Sequence, residues 1–299
     1  MFRTDLAAEA RELWRETRGC GGLPDGAEWD TKQVSGSMVE RLRIFSQAGS
    51  EALGKPEGLY YTITPEALLR REEGAFDAAA ALIARCLREL LPLRDSDGVL
   101  TVGLGNEAIT PDALGPKASR HILATRHLVD SHPAEFGRLR RVSVLTPGVA
   151  GNTGMESAEV IRALVDALHP AAVITVDALA ARRLGRVCRT VQLSDSGIVP
   201  GSGVGNRRAA LNRETLGVPV IAVGVPTVVD AATLAADLTK MANIGEHSTE
   251  DFGAFGQQMI VTPREIDAQI AEMSRLVGYG IDLALQDGLT VEDITALIG

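Results

Sequence analysis

Short apolar, β-branched runs recur through the middle of the chain at residues 99–104, 142–145, 172–176, 187–193 and 218–223, flanked by Gly, Pro or Asp. Runs of this length, separated in places by helix-period stretches, predict strands of a sheet covered by helices. The covering helices are predicted over 116–128 and 155–168, where apolar residues fall three and four apart; the second opens after Gly154 and closes at His169-Pro170. Further helices are expected over 6–18, 76–91, 227–243 and 262–286, a strand over 60–63, and loops over 19–37 and 246–256. The pattern implies an α/β fold. Its sheet should be twisted, mostly parallel or mixed and flanked by helices, with peripheral elements on either side of a core spanning about 95–245. No internal repeat or low-complexity tract interrupts it.

Composition narrows the function classes. The 299 residues can bury a large core, and 45% hydrophobic with 23% charged residues is the balance of a packed globular protein. Lys+Arg 30 against Asp+Glu 39 leaves a net charge of −9, which argues against direct nucleic-acid binding. No run reaches the ~20 apolar residues of a membrane helix. The charged start MFRTDLAAEAREL also lacks a signal-peptide core, so a cytoplasmic protein is expected. Cys20, Cys86 and Cys188 have no CxxC spacing and predict neither disulfides nor a zinc site.

Two acids follow core strands. Asp112 lies in Thr110-Pro111-Asp112-Ala113-Leu114-Gly115-Pro116, in the loop after the first strand, and Asp177 follows Val173-Ile174-Thr175-Val176 directly. Ligands of open α/β sheets collect at the carboxyl ends of strands, where a partly desolvated acid has a raised pKa. Brought together, the two could activate a water and protonate a leaving group. Each acid also suits a helix N-cap, and Asp177 could instead pair with Arg182 or Arg183. A third constellation runs from Ser194 through Asp195 to Gly201-Ser202-Gly203-Val204-Gly205-Asn206, followed by Arg207-Arg208. Its glycines let backbone approach a ligand and form an anion-binding nest; the alternative is an ordinary surface loop. The role of Asp195 stays open.

Other motifs fail on spacing. Gly103-Leu104-Gly105-Asn106-Glu107-Ala108 fits G-x-G-x-x-A formally, but Thr110-Pro111 interrupts the position of the required helix. None of His121, His127, His132, His169 and His247 stands at a zinc-binding spacing, and no Walker or GxSxG motif occurs.

Taken in order, several segments together resemble the germination protease family of spore-forming bacteria, endopeptidases that degrade small acid-soluble spore proteins. They are Thr4-Asp5-Leu6-Ala7, Gly103-Leu104-Gly105-Asn106, the Thr110 to Pro116 segment, Pro147-Gly148-Val149, Asp177-Ala178-Leu179-Ala180 and the Gly197 to Asn206 segment. Glu214-Thr215-Leu216-Gly217, Gly224-Val225-Pro226-Thr227-Val228-Val229-Asp230 and Val261-Thr262-Pro263 continue the series across nearly the whole chain. The resemblance implies a fold related to the hydrogenase-maturation peptidases, with Asp112 and Asp177 as the catalytic pair. It also implies a homotetramer in the spore core, made as a zymogen, and a substrate motif of an acidic residue, an apolar residue and Ala.

Thr4-Asp5-Leu6-Ala7-Ala8-Glu9 looks like that motif, so self-cleavage between Asp5 and Leu6 is expected. Residues 1–5 would then be a short propeptide and 6–299 a single peptidase domain. The alternative for this segment is a helix start capped by Thr4 or Asp5. No metal or cofactor is expected. Gly201, Ser202, Gly203, Gly205 and Asn206 are expected to orient substrate. Two other readings are a metal-linked maturation peptidase of the related fold and a non-enzymatic module binding an anion or small molecule.

Overall fold

The apolar runs become the parallel heart of one sheet. The computed structural model describes residues 4–19, 22–202, 208–242, 252 and 259–298. Its strands are β1 (Ala27–Val34), β2 (Ser37–Ile44), β3 (Gly58–Thr64), β4 (Val99–Gly103), β5 (Val142–Leu145), β6 (Ala172–Ala181), β7 (Val191–Ser194), β8 (Val220–Asp230) and β9 (Ile260–Val261). They lie in the order β1-β2-β3-β7-β8-β6-β4-β5, with β9 on β8. β5, β4, β6 and β8 pair in parallel, while β1, β2, β3, β7 and β9 join antiparallel, so the sheet is mixed.

Side chains alternate between two helical layers because successive strand residues face opposite ways. Ile174 and Val176 face a core shared with the helices Ala75–Leu90 and Ile266–Leu285. Val173, Leu100, Val102 and Val220 face Ile161 and Val165 of the helix Ser157–Leu168. The N-terminal helix Ala7–Arg18 is tied down by acids at positions 9, 12 and 16. Arg182 pairs with Glu16 at 3.0 Å and with Asp237 at 2.9 Å, and Arg186 pairs with Glu12 at 2.6 Å and with Glu40 at 2.9 Å.

Four expectations shift. The helix predicted over 116–128 divides into Leu114–Ser119 and Arg126–Ser131. Tertiary bonds hold the segment between them: Leu123 N–H donates to both Asp282 carboxylate oxygens at 3.0 and 3.2 Å, and the Thr125 side-chain Oγ1 accepts from Val142 N–H at 3.0 Å. The 19–37 loop contains β1, which has no buried residue and so gives little apolar signal, and which turns into β2 through Ser35 and Gly36, both at positive φ. The 227–243 helix begins at Ala231, because β8 continues to Asp230 beside the extended β6. The strand expected over 187–193 begins at Val191, after a 3-10 turn at Leu184–Arg186 and Cys188 at φ 51°. The loop expected over 246–256 lies outside the described residues except for Phe252.

One glycine sets the approach of the Asp112 segment to the sheet. A Cβ on Gly115 would clash with Leu104 O and meet Leu104 N and Val176 O at 2.5 Å, all backbone atoms that cannot swing away. Gly115→Ala is therefore expected to destabilise the protein at the upper end of overpacking costs, about 3 kcal/mol. A lowered urea midpoint with unchanged slope would show it.

Candidate active site

The chain leaves β4 toward β5 on one side and returns as β6 on the other, so a topological switch point falls between β4 and β6. The loop after β4 carries Asp112 in a single 3-10 turn, Thr110–Asp112. Its Oδ2 accepts from Asn106 N–H at 2.7 Å, and the helix that follows takes no side-chain cap. Thr227 of β8 donates its hydroxyl to Pro111 O at 2.7 Å and holds the turn over the strand ends.

Asp177 does not end its strand. β6 runs on through Ala178–Ala181, paired with β8, so the carboxyl rises from within a strand and is 5% exposed. Its Oδ1 accepts from Ala178 N–H at 2.9 Å, while Arg182 and Arg183 are engaged by Glu12, Glu16 and Asp237. Burial pushes the Asp177 carboxyl well above the usual carboxylate range; the charges of Asp112 and then Asp5 push the same way, against the pull of Ala178 N–H. Burial also raises Asp112, opposed by the Asn106 N–H and by the Arg208 guanidinium. Three acids far apart in sequence thus sense one another at the switch point.

Asp5 reaches this place through backbone pairing. β4 stops at Gly103, opposite Val176, and beyond that level Asp5 docks on β6. Asp5 N–H donates to Ala180 O at 2.9 Å, and its carboxylate accepts from Ala180 N–H at 2.9 Å and from Ser202 Oγ at 2.7 Å. The N-cap position of the first helix is Leu6, without a side-chain cap, so Asp5 is turned to the sheet rather than to its own helix. Thr4 Oγ1 accepts from Leu6 N–H at 3.0 Å and donates to Glu9. Glu9 in turn accepts from the N–H groups of Arg182 at 2.7 Å and Arg183 at 3.0 Å.

A family profile described as germination protease matches residues 7–250, a stretch containing Asp112, Asp177 and the glycine loop. The chain is 42% identical to a germination protease of Caldanaerobacter subterraneus subsp. tengcongensis, over 99% of this chain and 98% of the relative. It is 38% identical to that of Clostridium perfringens, over 99% and 98%, and 33% identical to that of Priestia megaterium, over 98% and 96%. The chain belongs to the germination protease family. It is a peptidase, and its site must be read as one that handles an extended polypeptide.

Of the residues nominated from sequence, Asp5, Leu6, Asp112, Asp177, Gly201 and Ser202 are described, whereas Gly203, Gly205 and Asn206 lie outside the described residues. The structure brings Asp5, Asp112, Asp177 and Ser202 together. Asp195 stands apart, with Oδ1 accepting from Leu59 N–H at 2.7 Å at the start of β3. Sequence reasoning passed over Gln192, a polar residue between Val191 and Leu193, and Glu9, whose burial no local pattern announces. Among the described residues, no group of three or more His, Cys, Asp or Glu side chains is placed to hold a metal ion. Nor is any described helix long and apolar enough to cross a membrane.

Proposed function

We propose that Asp112 and Asp177 form an acid–base pair that hydrolyses peptide bonds in small acid-soluble, DNA-protecting spore proteins during germination. Asp112, only half-buried and near Arg208, takes a proton from water as the water oxygen adds to the carbonyl carbon. Asp177, whose protonated form burial favours, gives its proton to the leaving amine as the C–N bond breaks. The pair then exchanges protons with solvent to reset. No cofactor enters this reading.

The observation that carries the proposal is the docking of Asp5 against β6 beside Asp177, with Thr4-Asp5-Leu6 non-helical just ahead of the helix that starts at Ala7. We accordingly read the chain as a zymogen that cuts itself between Asp5 and Leu6, with residues 1–5 as propeptide and 6–299 as one peptidase domain. The family resemblance supports a homotetramer in the spore core. The parallel β5-β4-β6-β8 heart supports kinship with hydrogenase-maturation peptidases.

Incubation of the purified full chain at several pH values, followed by amino-terminal sequencing, is expected to yield a chain beginning at Leu6. Added small acid-soluble spore protein should be cut after acidic residues that precede an apolar residue and Ala. Retention of Met1 under every condition would remove the self-processing reading, and an intact spore protein would remove the substrate.

A further inference from the structure

Gln192 is a buried amide at the middle of the sheet, 8% exposed, and its two ends straddle the Asp5-Leu6 bond. Its Oε1 accepts from Ala7 N–H at 2.7 Å, and its Nε2 donates to Asp5 O at 3.1 Å. The Ala7 N–H can only donate, so it fixes the oxygen end of the side chain and leaves the NH2 end for the Asp5 carbonyl. Gln192 is itself held rigidly, paired with Thr62 of β3 on one side and Gly224 of β8 on the other.

The Asp5 carbonyl is the one that water would attack if the chain is processed at Asp5-Leu6, and the inference rests on that reading. We propose that Gln192 is a catalytic residue that polarises this carbonyl and stabilises the oxyanion. As the water oxygen bonds to carbon, the carbonyl π electrons move onto oxygen, and the Gln192 Nε2–H group donates to the negative charge. When the C–N bond breaks, those electrons return to the carbonyl. Gln192 neither takes nor gives a proton; Asp112 and Asp177 do that. A preaimed donor on a side chain only 8% exposed is worth much more here than in bulk solvent.

The second bond of the same amide extends the assignment to specificity. Gln192 Oε1 reads the backbone N–H two residues beyond the attacked carbonyl, a group present in every polypeptide except where Pro stands. Asp5 shows how the other side is gripped, by Ala180 N–H and Ser202 Oγ on its carboxylate. Gln192 therefore positions backbone, and the Ala180 and Ser202 groups select the acid.

The test follows self-cleavage of the full chain by amino-terminal sequencing and time course, with thermal midpoints measured alongside. Gln192→Glu keeps the shape and the acceptor for Ala7 N–H but replaces the donor with a carboxylate oxygen. It is expected to slow formation of the Leu6 terminus by about 10²–10³-fold at neutral pH, the range seen when a single oxyanion donor is lost. Its deficit relative to wild type should shrink as pH falls and the introduced carboxyl, once protonated, can donate again, which a purely structural role would not produce. Gln192→Met, similar in length and without a donor, should show the loss with no recovery, and it decides the matter if Gln192→Glu fails to fold. If wild type is not cut between Asp5 and Leu6, the processing reading falls and takes this inference with it. If wild type is cut there and a folded Gln192→Met chain is cut equally fast, the inference alone is overturned.

Discussion

Asp177→Asn is expected to lose peptide cleavage by about 10²–10⁴-fold, the range for loss of a positioned acid or base, while its thermal midpoint at neutral pH equals or exceeds that of wild type. Asn keeps an oxygen that can accept from Ala178 N–H, but it cannot give a proton to the leaving amine. The stability gain follows from sign. Burial and the neighbouring acids raise the folded-state pKa of Asp177 above its unfolded value. The stability linked to its protonation is therefore full at low pH and is lost as pH rises from the unfolded toward the folded pKa. The amide does not titrate, so the variant escapes that loss.

Asp112→Asn should fail comparably, and the double variant should be little worse than either single one, because acid and base act as a unit. Cleavage by the wild-type protein should fall at low pH as Asp112 takes a proton and fall again at high pH as Asp177 releases one. Both limbs belong to the coupled pair rather than to either residue alone. Full activity in either folded single variant, measured on spore protein or on the Asp5-Leu6 bond, would sink the paired mechanism.

The second large effect concerns stability. Asp282, in the helix Ile266–Leu285, is fully buried, and burial pushes its carboxyl up to about 8 against the pull of Leu123 N–H. Unfolded, the same group titrates near ~3.9. Folding stability linked to Asp282 is thus fully present below about 4 and is lost progressively as pH rises toward about 8. At 1.36 kcal/mol per pKa unit the loss is on the order of 5 kcal/mol. Asp282→Asn is expected to match wild type near pH ~4 and to exceed it increasingly up to pH ~8 by urea unfolding. Parallel curves for the two proteins would show that Asp282 does not titrate in this window. The consequence reaches the active site, because the Leu123 N–H held by Asp282 lies at the break between two helices, just past the segment that carries Asp112.

Much of the parallel heart could be read from the chain because its strands are continuous apolar runs buried on both faces, a pattern that needs no knowledge of partners. Asp112 and Asp177 could be singled out from the same runs, Asp112 in the loop after the first and Asp177 directly after the third. The β1–β2 hairpin was not, since much of β1 is exposed and carries little apolar periodicity. The single helix expected over 116–128 was mistaken because propensity was overruled by distant elements: Asp282 takes up the Leu123 N–H, and the Thr125 hydroxyl is tied to the Val142 N–H.

What the linear chain determined by itself was the strands of the parallel heart and the positions of the two acids and of the Asp5-Leu6 motif, because each is written in local pattern. Only the tertiary structure decided that Asp5 lies along β6 beside Asp177, and that Gln192 reaches both sides of the bond after Asp5. Those contacts join residues 175 to 187 positions apart in the chain. Their geometry is set by the order in which β3, β7, β8 and β6 pair, and strand order arises from long-range burial that no local sequence window contains.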